Sequence, residues 1–492
     1  MRIYLSILLY LVFTLAKGQN FAPISNGLYS GVHAAKINPA FTAYSKYKWH
    51  VNVIGAWANV NNNYLQLRLP YSAYRLINND IPNQYKTENG NAKWDSSYLK
   101  EKLNGRPKHF AAGAMLYLPS FTLSLKNNWH IGLLTDATAL ARVSGLSENL
   151  AHALYKELDT AKNAYSQFNN KPGQSNTIHR MTISGNAYAS LGINISKDIP
   201  LEWKQHLLVG ATLKKVWGLG GAFFQNGDMV AKNIRSDSVT LNRTNIRYGQ
   251  YTGIGKGMGV DIGIGWVYHK PEYRQPGDYS RKHTNYLYKF GLGILDIGSI
   301  KYKNASITSI INNRLTEWNT TNIQDRFSAV TPGYPLVDTI LNALPNLRQT
   351  TQDLRIGLPT RLALSADYQV MPDIYVNMQV VQSLRGRYSI HARQQSYVSV
   401  APRWESDFFE VSIPLYLEYD YRAFRMGAAF RVGPLYFGSN SVMSMLYTKR
   451  LRDADFFIGI AFGDIPGNWK DRWLKKHGKK PGIADPKDCE KM

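Results

Sequence analysis

The most regular feature of this sequence is alternation with a period of two. From Gly253 the odd positions read Gly253, Gly255, Gly257, Gly259, Asp261, Gly263 and Gly265. The even positions read Ile254, Lys256, Met258, Val260, Ile262, Ile264, Trp266 and Tyr268. Successive side chains of a β-strand point to opposite faces, so this stretch has one nearly bare face and one apolar face. It predicts a strand touched by lipid on one side and crowded by bulky neighbours on the other. The pattern returns several times. Tyr286, Tyr288, Phe290, Leu292 and Ile294 share a face opposite Lys289, Gly291 and Gly293, and Ile374, Val376, Met378 and Val380 alternate with Tyr375, Asn377 and Gln379. Phe409, Val411, Ile413, Leu415 and Leu417 oppose Glu410, Ser412, Tyr416 and Glu418. The following segment sets Phe424, Met426, Ala428, Phe430 and Val432 against Arg425, Gly427, Ala429 and Arg431.

A two-residue turn at Asp420-Tyr421 fixes the register of these last two segments, because cross-strand partners then have numbers with a constant sum. Glu410 is expected opposite Arg431, and Tyr416 opposite Arg425. The charges Glu410, Glu418, Arg425 and Arg431 lie on the faces away from the apolar stripes and are expected in a polar lumen. There they are read as a structural ladder and not a substrate filter, since confined charges are normally paired. The final alternating strand, Asp455 to Phe462, carries Phe456, Ile458, Ile460 and Phe462 and has the form of an outer-membrane assembly signal. The number and length of these segments predict an all-β fold, a transmembrane antiparallel β-barrel with short helices in external loops.

Interruptions between strands place the loops. Asn78 to Gly105 is polar, as an external loop would be. Ser147 to Asp159 has Leu150, Ala153, Leu154 and Leu158 at helical spacing, with Ser147 as N-cap. Tyr302 to Asp353 reads as a second large insertion, with a short amphipathic helix from Pro335 to Leu344.

The termini complete the division of the chain. Met1-Arg2 precedes a nearly continuous apolar run from Ile3 to Leu15, and Ala16-Lys17-Gly18 supplies small residues where a signal peptidase reads. Residues 1–18 are expected to be a signal peptide. The first convincing strand starts at Lys48, so residues 19–47 are expected inside or beneath the barrel, with the barrel over 48–463. Residues 464–492 form a basic tail, expected in the periplasm. Within it Trp469 and Trp473 are four apart and stand with Leu474 among Lys and Arg, a pattern that suits an interfacial helix or a solvated tail.

Composition narrows the function classes. The 492 residues carry a net charge of +24, but Lys and Arg are spread along the chain instead of being gathered in one stripe, which argues against nucleic acid. Basic loops facing lipid phosphates account for the charge more simply. The single cysteine, Cys489, has no intrachain disulfide partner and no neighbouring metal ligands. Gly253 to Gly259 looks superficially like a phosphate loop, but its alternation continues unbroken into Trp266, which makes it strand. There is no Gly-x-Ser-x-Gly elbow and no His-Glu-x-x-His pair. The reading is therefore a non-enzyme with no catalytic residues, metal or cofactor.

Ser25 to Phe41 (SNGLYSGVHAAKINPAF) places Asn38-Pro39-Ala40 shortly before the first strand. That triplet is similar to the N-terminal Asn-Pro-Ala hatch of the long-chain fatty-acid transporter superfamily. The stretches GKGMGVDIGIGW from Gly255, FGLGILDIGSIKY from Phe290, LPTRLALSADY from Leu358 and FRMGAAFRVGPLYFGSNS from Phe424 resemble an uncharacterised Bacteroidota-type outer-membrane β-barrel family. The resemblance covers nearly the whole mature chain and implies a barrel of about fourteen strands in the outer membrane, in contact with lipid and lipopolysaccharide. It implies no established activity, and two roles are read beside it. The first is an accessory or scaffold barrel with a protein partner in an envelope assembly, surface-display or type IX secretion machine. The alternative is a passive transporter or channel for small hydrophobic molecules.

Overall fold

The computed structural model describes residues 22–464, except 73–74, 77, 79, 94, 149, 153–154, 156–174, 228, 236–237, 243, 271–284, 313–315, 320–347, 419 and 443–449. One antiparallel sheet closes on itself in about fourteen strands. In chain order these are β1 (Trp49–Asn62), β2 (Lys108–Tyr117 with Ser120–Ser124), β3 (Trp129–Leu146), β4 (Met181–Glu202) and β5 (Gln205–Asn226). They continue as β6 (Thr244–Tyr251 with Gly255–Tyr268), β7 (Tyr288–Asn312), β8 (Arg348–Gly357 with Arg361–Met371), β9 (Ile374–Ser383) and β10 (Tyr397–Glu405). The last four are β11 (Phe409–Ser412 with Leu415–Glu418), β12 (Ala423–Met426 with Ala428–Val432), β13 (Leu435–Ser439) and β14 (Asp453–Gly463). Each strand pairs with its neighbours in sequence, and β1 closes the ring against β14 from His50–Gly463 to Asn61–Asp453. Closure leaves the ring without an edge strand, so backbone pairing continues around the wall.

Burial shows which way the alternation faces. Ile262, Ile264, Phe290, Leu292, Leu364, Met378, Leu415, Leu417 and Ile458 are all exposed on the outside. Asn52, Asp136, Asn194, Thr212, Asp261, Lys289, Asp367, Arg403 and Glu410 are buried on the inside. This is a soluble protein's arrangement turned inside out, and it follows from a polar lumen enclosed by an apolar outer wall. At one end of the wall Trp49, Trp129, Tyr288, Tyr368, Trp404 and Phe409 stand exposed, with the Tyr288 and Tyr368 rings stacked at 5.2 Å. Amphipathic rings favour the headgroup level of a membrane.

The two ends differ. At the aromatic end most connections, such as 203–204, 372–373, 406–408 and 433–434, are short, with 269–287 the longer one, and Lys48 bonds to Asp464 there. The other end carries the long connections 63–107, 384–396 and 440–452 among others, with two small sheets. One of these, from Leu65–Arg68, Leu99–Glu101 and Arg450–Leu451, is packed by Leu67, Leu69, Tyr71 and Ile81. Asp420 and Tyr421 both have positive φ (56° and 66°), as the two central residues of a hairpin turn that follows strand twist must.

Two sequence expectations need correction. The insertion expected over Tyr302–Asp353 is shorter, because β7 runs to Asn312 and β8 resumes at Arg348. Tyr286, expected on the outer face with Tyr288, is fully buried and donates to Asp367 (2.5 Å), because the strand begins two residues later. Glu148, Leu150, Ala151 and His152 are helical, and the Ala151 amide bonds to the carbonyl of Ser147. The segment Pro335 to Leu344, residues 1–18, and Trp469, Trp473 and Leu474 lie outside the described residues.

Candidate functional site: a lumen filled from both ends

Residues 22–47 lie inside the barrel. They form one short α-helix (Ala22–Ser25) and two 3-10 turns (Gly31–Lys36 and Pro39–Tyr44), and nearly every residue is buried. The second turn is capped by Asn38, whose Oδ1 accepts from the Ala40 amide (2.9 Å), while Pro39 at the first position has no amide to lose. Asn38 Nδ2 then donates to the carbonyls of Ile264 (2.9 Å) and Leu292 (3.2 Å), on β6 and β7. The bare face noted in the sequence is where this turn sits. A Cβ at Gly263 would fall 1.9 Å from Asn38 Oδ1, and one at Gly291 would fall 2.2 Å from Phe41 Cζ. The glycines leave a hollow into which Asn38, Pro39 and Phe41 fit, and Thr42 Oγ1 closes the other side against Asn194 (2.8 Å) and Ser196 (2.7 Å).

Charge holds the same segment in place. Lys36 pairs with Asp136 of β3 and lies beside a buried cluster in which Lys214 meets Asp261 (2.7 Å) and Asp296 (2.6 Å). Arg361 meets Asp296 (2.5 Å) and also donates to the Lys36 carbonyl (3.2 Å). Asp296 has φ of 57°, a left-handed position that Asp tolerates, at an irregular point where the β6–β7 register shifts. Towards the aromatic end, Arg403 bridges Asp367 (2.8 Å) and Glu405 (3.1 Å), and Glu405 accepts from the Leu28 amide (3.2 Å). Lys289 donates to the Asn26 carbonyl, and Tyr29 to Asp407. Burial lowers Lys46 from its ordinary lysine value, although Glu405, Asp407 and Asp373 pull the other way. The void at the Lys36–Asp136 cluster is small, about 20 Å³.

Glu410 and Arg431 stand opposite each other and bond at 3.2 Å, and Tyr416 stands opposite Arg425. The Arg431 guanidinium also lies 4.8 Å from the Tyr29 ring, so this wall pair touches the luminal segment. Arg425 reaches Asp453 on β14 instead of its hairpin neighbour, and Glu418 is buried near the loop-rich end. The four charges therefore do not form one cluster.

A model of the family of unknown function DUF5723 matches residues 39–440, from the Pro39 turn through thirteen of the strands. The chain belongs to DUF5723. No curated protein sequence matches it. Among solved structures it is similar to a deltaS2S3 mutant of the TodX monoaromatic hydrocarbon channel, at 10% identity and TM-score 0.42, over 91% of this chain and 99% of that one. It is also similar to a Pseudomonas aeruginosa FadL homologue (11%, TM-score 0.35, 82% and 84%) and to the P. putida toluene transporter TodX (10%, TM-score 0.31, 89% and 95%).

The DUF5723 barrel has a second luminal element that the sequence pattern did not reveal. Residues 384–396, between β9 and β10, fold inward from the loop-rich end and reach the opposite wall. Arg142 of β3 donates to the Ser389 carbonyl, and Thr182 (3.0 Å) and Gln225 (2.8 Å) donate to that of Tyr388. His391 accepts from the Gly357 amide (3.1 Å), and Ile390 and Ala392 are buried. Arg393 and Arg387 pin the segment to Asp420 at 2.6 and 2.9 Å. Burial alone would raise the Asp420 carboxyl, but Arg393, the Ser396 amide and Arg387 outweigh it and hold it down at about 2. In the sequence this segment is a thirteen-residue connection whose length alone sets it apart from a tight turn.

Proposed function

We propose that this protein is an outer-membrane barrel that passes small molecules, with residues 22–47 as a seated plug. The observation that carries the reading is the plug's mode of attachment. It rests in a glycine hollow and is held by side-chain hydrogen bonds and ion pairs (Asn38, Thr42, Lys36) instead of by strand pairing, so it can leave its seat without opening the wall. The apolar outer wall with its aromatic band supports a membrane setting. Short connections at the aromatic end support a periplasmic orientation for that end, and the chain leaves β14 there, towards the tail. The cargo class implied by the family resemblance is small hydrophobic molecules. The reading as an accessory scaffold, with a partner or a type IX association, has no observation in its favour among the described residues.

The test is conductance. Residues 21–43 are deleted, both alone and together with a short Gly-Ser replacement of 386–394, since both elements fill the lumen. Heat-modifiable migration on gels establishes that the barrel has folded. The double deletion is expected to give large, steady single channels in planar bilayers where the full chain gives small or rare ones. A folded double deletion that conducts no better than the full chain refutes the plug.

A further inference from the structure

Above the inward-folded segment, at the loop-rich mouth, lies a hollow of about 540 Å³. Small-molecule sites fall in the same size range. Six cationic side chains line it: Arg106, Lys108, Arg142, Arg387, Arg393 and Arg422. The lining holds one carboxylate, Asp420, already shared by Arg387 and Arg393, while Lys108 is paired with Glu148 (2.5 Å). That leaves Arg106, Arg142 and Arg422 with no ion-pair partner among the described residues. Arg142 is the most telling. It is only 7% exposed, with Nε on Ser184 (3.0 Å) and Nη2 on the Ser389 carbonyl, and its buried Nη1 has no hydrogen-bond partner. A buried guanidinium is costly unless an anion or further acceptors complete its fork.

We propose that this vestibule is an anion-binding site for a phosphate-bearing molecule or headgroup. Three arginines without carboxylate partners line one concavity, Arg142 buried and Arg106 and Arg422 exposed, and guanidinium groups suit the multiple negative charge of such groups. A ligand there would sit directly on the segment that crosses the lumen, touching Arg387, Tyr388 and Arg393. The site stands whether or not the plug opens, because binding is read without transport.

The full chain in neutral detergent is titrated by calorimetry with sodium pyrophosphate, and separately with lipid A in mixed micelles, with maltose as the neutral control. Saturable binding of pyrophosphate that weakens with added salt points to a soluble ligand. Binding of lipid A alone, lost when its phosphates are removed, points to a headgroup. The variant Arg106→Gln/Arg422→Gln changes residues in a loop and a turn and leaves the ion pairs of Asp420 intact. It is expected to weaken either by roughly tenfold or more. Absence of saturable binding to both probes, or affinity unchanged in the folded double variant, overturns the proposal. An adverse result here with an open channel in the plug deletion leaves the plug reading standing.

Discussion

The glycine hollow makes a quantitative prediction about the plug. Replacing both Gly263 and Gly291 with Ala puts methyl groups 1.9 Å from Asn38 Oδ1 and 2.2 Å from Phe41 Cζ, far inside contact distance, so the turn must lift. Phe41 is 2% exposed, and returning such a ring to water costs about 1.5–3 kcal/mol. The two hydrogen bonds from Asn38 Nδ2 to the wall carbonyls add about 0.5–1.5 kcal/mol each. Together the seat is worth roughly 3–6 kcal/mol, which corresponds to a shift of roughly 10²–10⁴ in the seated-to-lifted ratio. The wall itself should gain slightly, since Ala in a strand is better than Gly by about 0.5–1 kcal/mol. The readout is cleavage by trypsin at Lys36 and Lys46, mapped by mass spectrometry, because these lysines are shielded while the plug is seated. Cleavage is expected to rise by roughly a hundredfold or more in the double variant. Gly185→Ala is the control, as a Cβ there meets nothing within 4 Å. A folded double variant that is cleaved no faster than the control would show that the plug does not rest on these glycines.

Two further outcomes follow from the luminal charges. Asp296→Asn leaves Arg361 without a carboxylate in a buried site, and is expected to cost about 3–5 kcal/mol, read as a lower midpoint of heat modification in detergent; an unchanged midpoint would show that the cluster contributes nothing to stability. Asp420 has its carboxyl held at about 2, below its ordinary 3.8, so its hold on Arg387 and Arg393 is fully present above about 4 and is lost as pH falls through about 2. Proteolysis by pepsin within 384–396 should therefore stay slow near pH 4 and accelerate towards pH 2, and Asp420→Asn should be fast at both; equal rates across this range would count against the pin.

The wall was legible in the chain before any fold was known. Period two is imposed by the strand backbone, and a wall between lipid and lumen must write it in alternating apolar and polar residues, as in Ile262, Ile264 and Trp266 against Gly263 and Gly265. The tight Asp420-Tyr421 turn carried the register as well, because a one-residue slip would turn Glu410 and Arg431 into the apolar outside. Barrel closure and the contents of the lumen were decided only by tertiary structure. The pairing of β1 with β14 joins residues about four hundred positions apart, and no local pattern encodes it. The cluster of Lys36, Asp136, Lys214, Asp261, Asp296 and Arg361 draws on the plug and five strands, so its members are scattered charges until the ring brings them together. The bare glycine face showed where something bulky had to fit. Only the folded barrel shows that the occupant is Asn38, Pro39 and Phe41 of the same chain, because that contact spans more than two hundred residues. For the same reason the inward fold of 384–396, bonded to a wall that lies across the lumen, could not be read from a segment with no periodicity of its own.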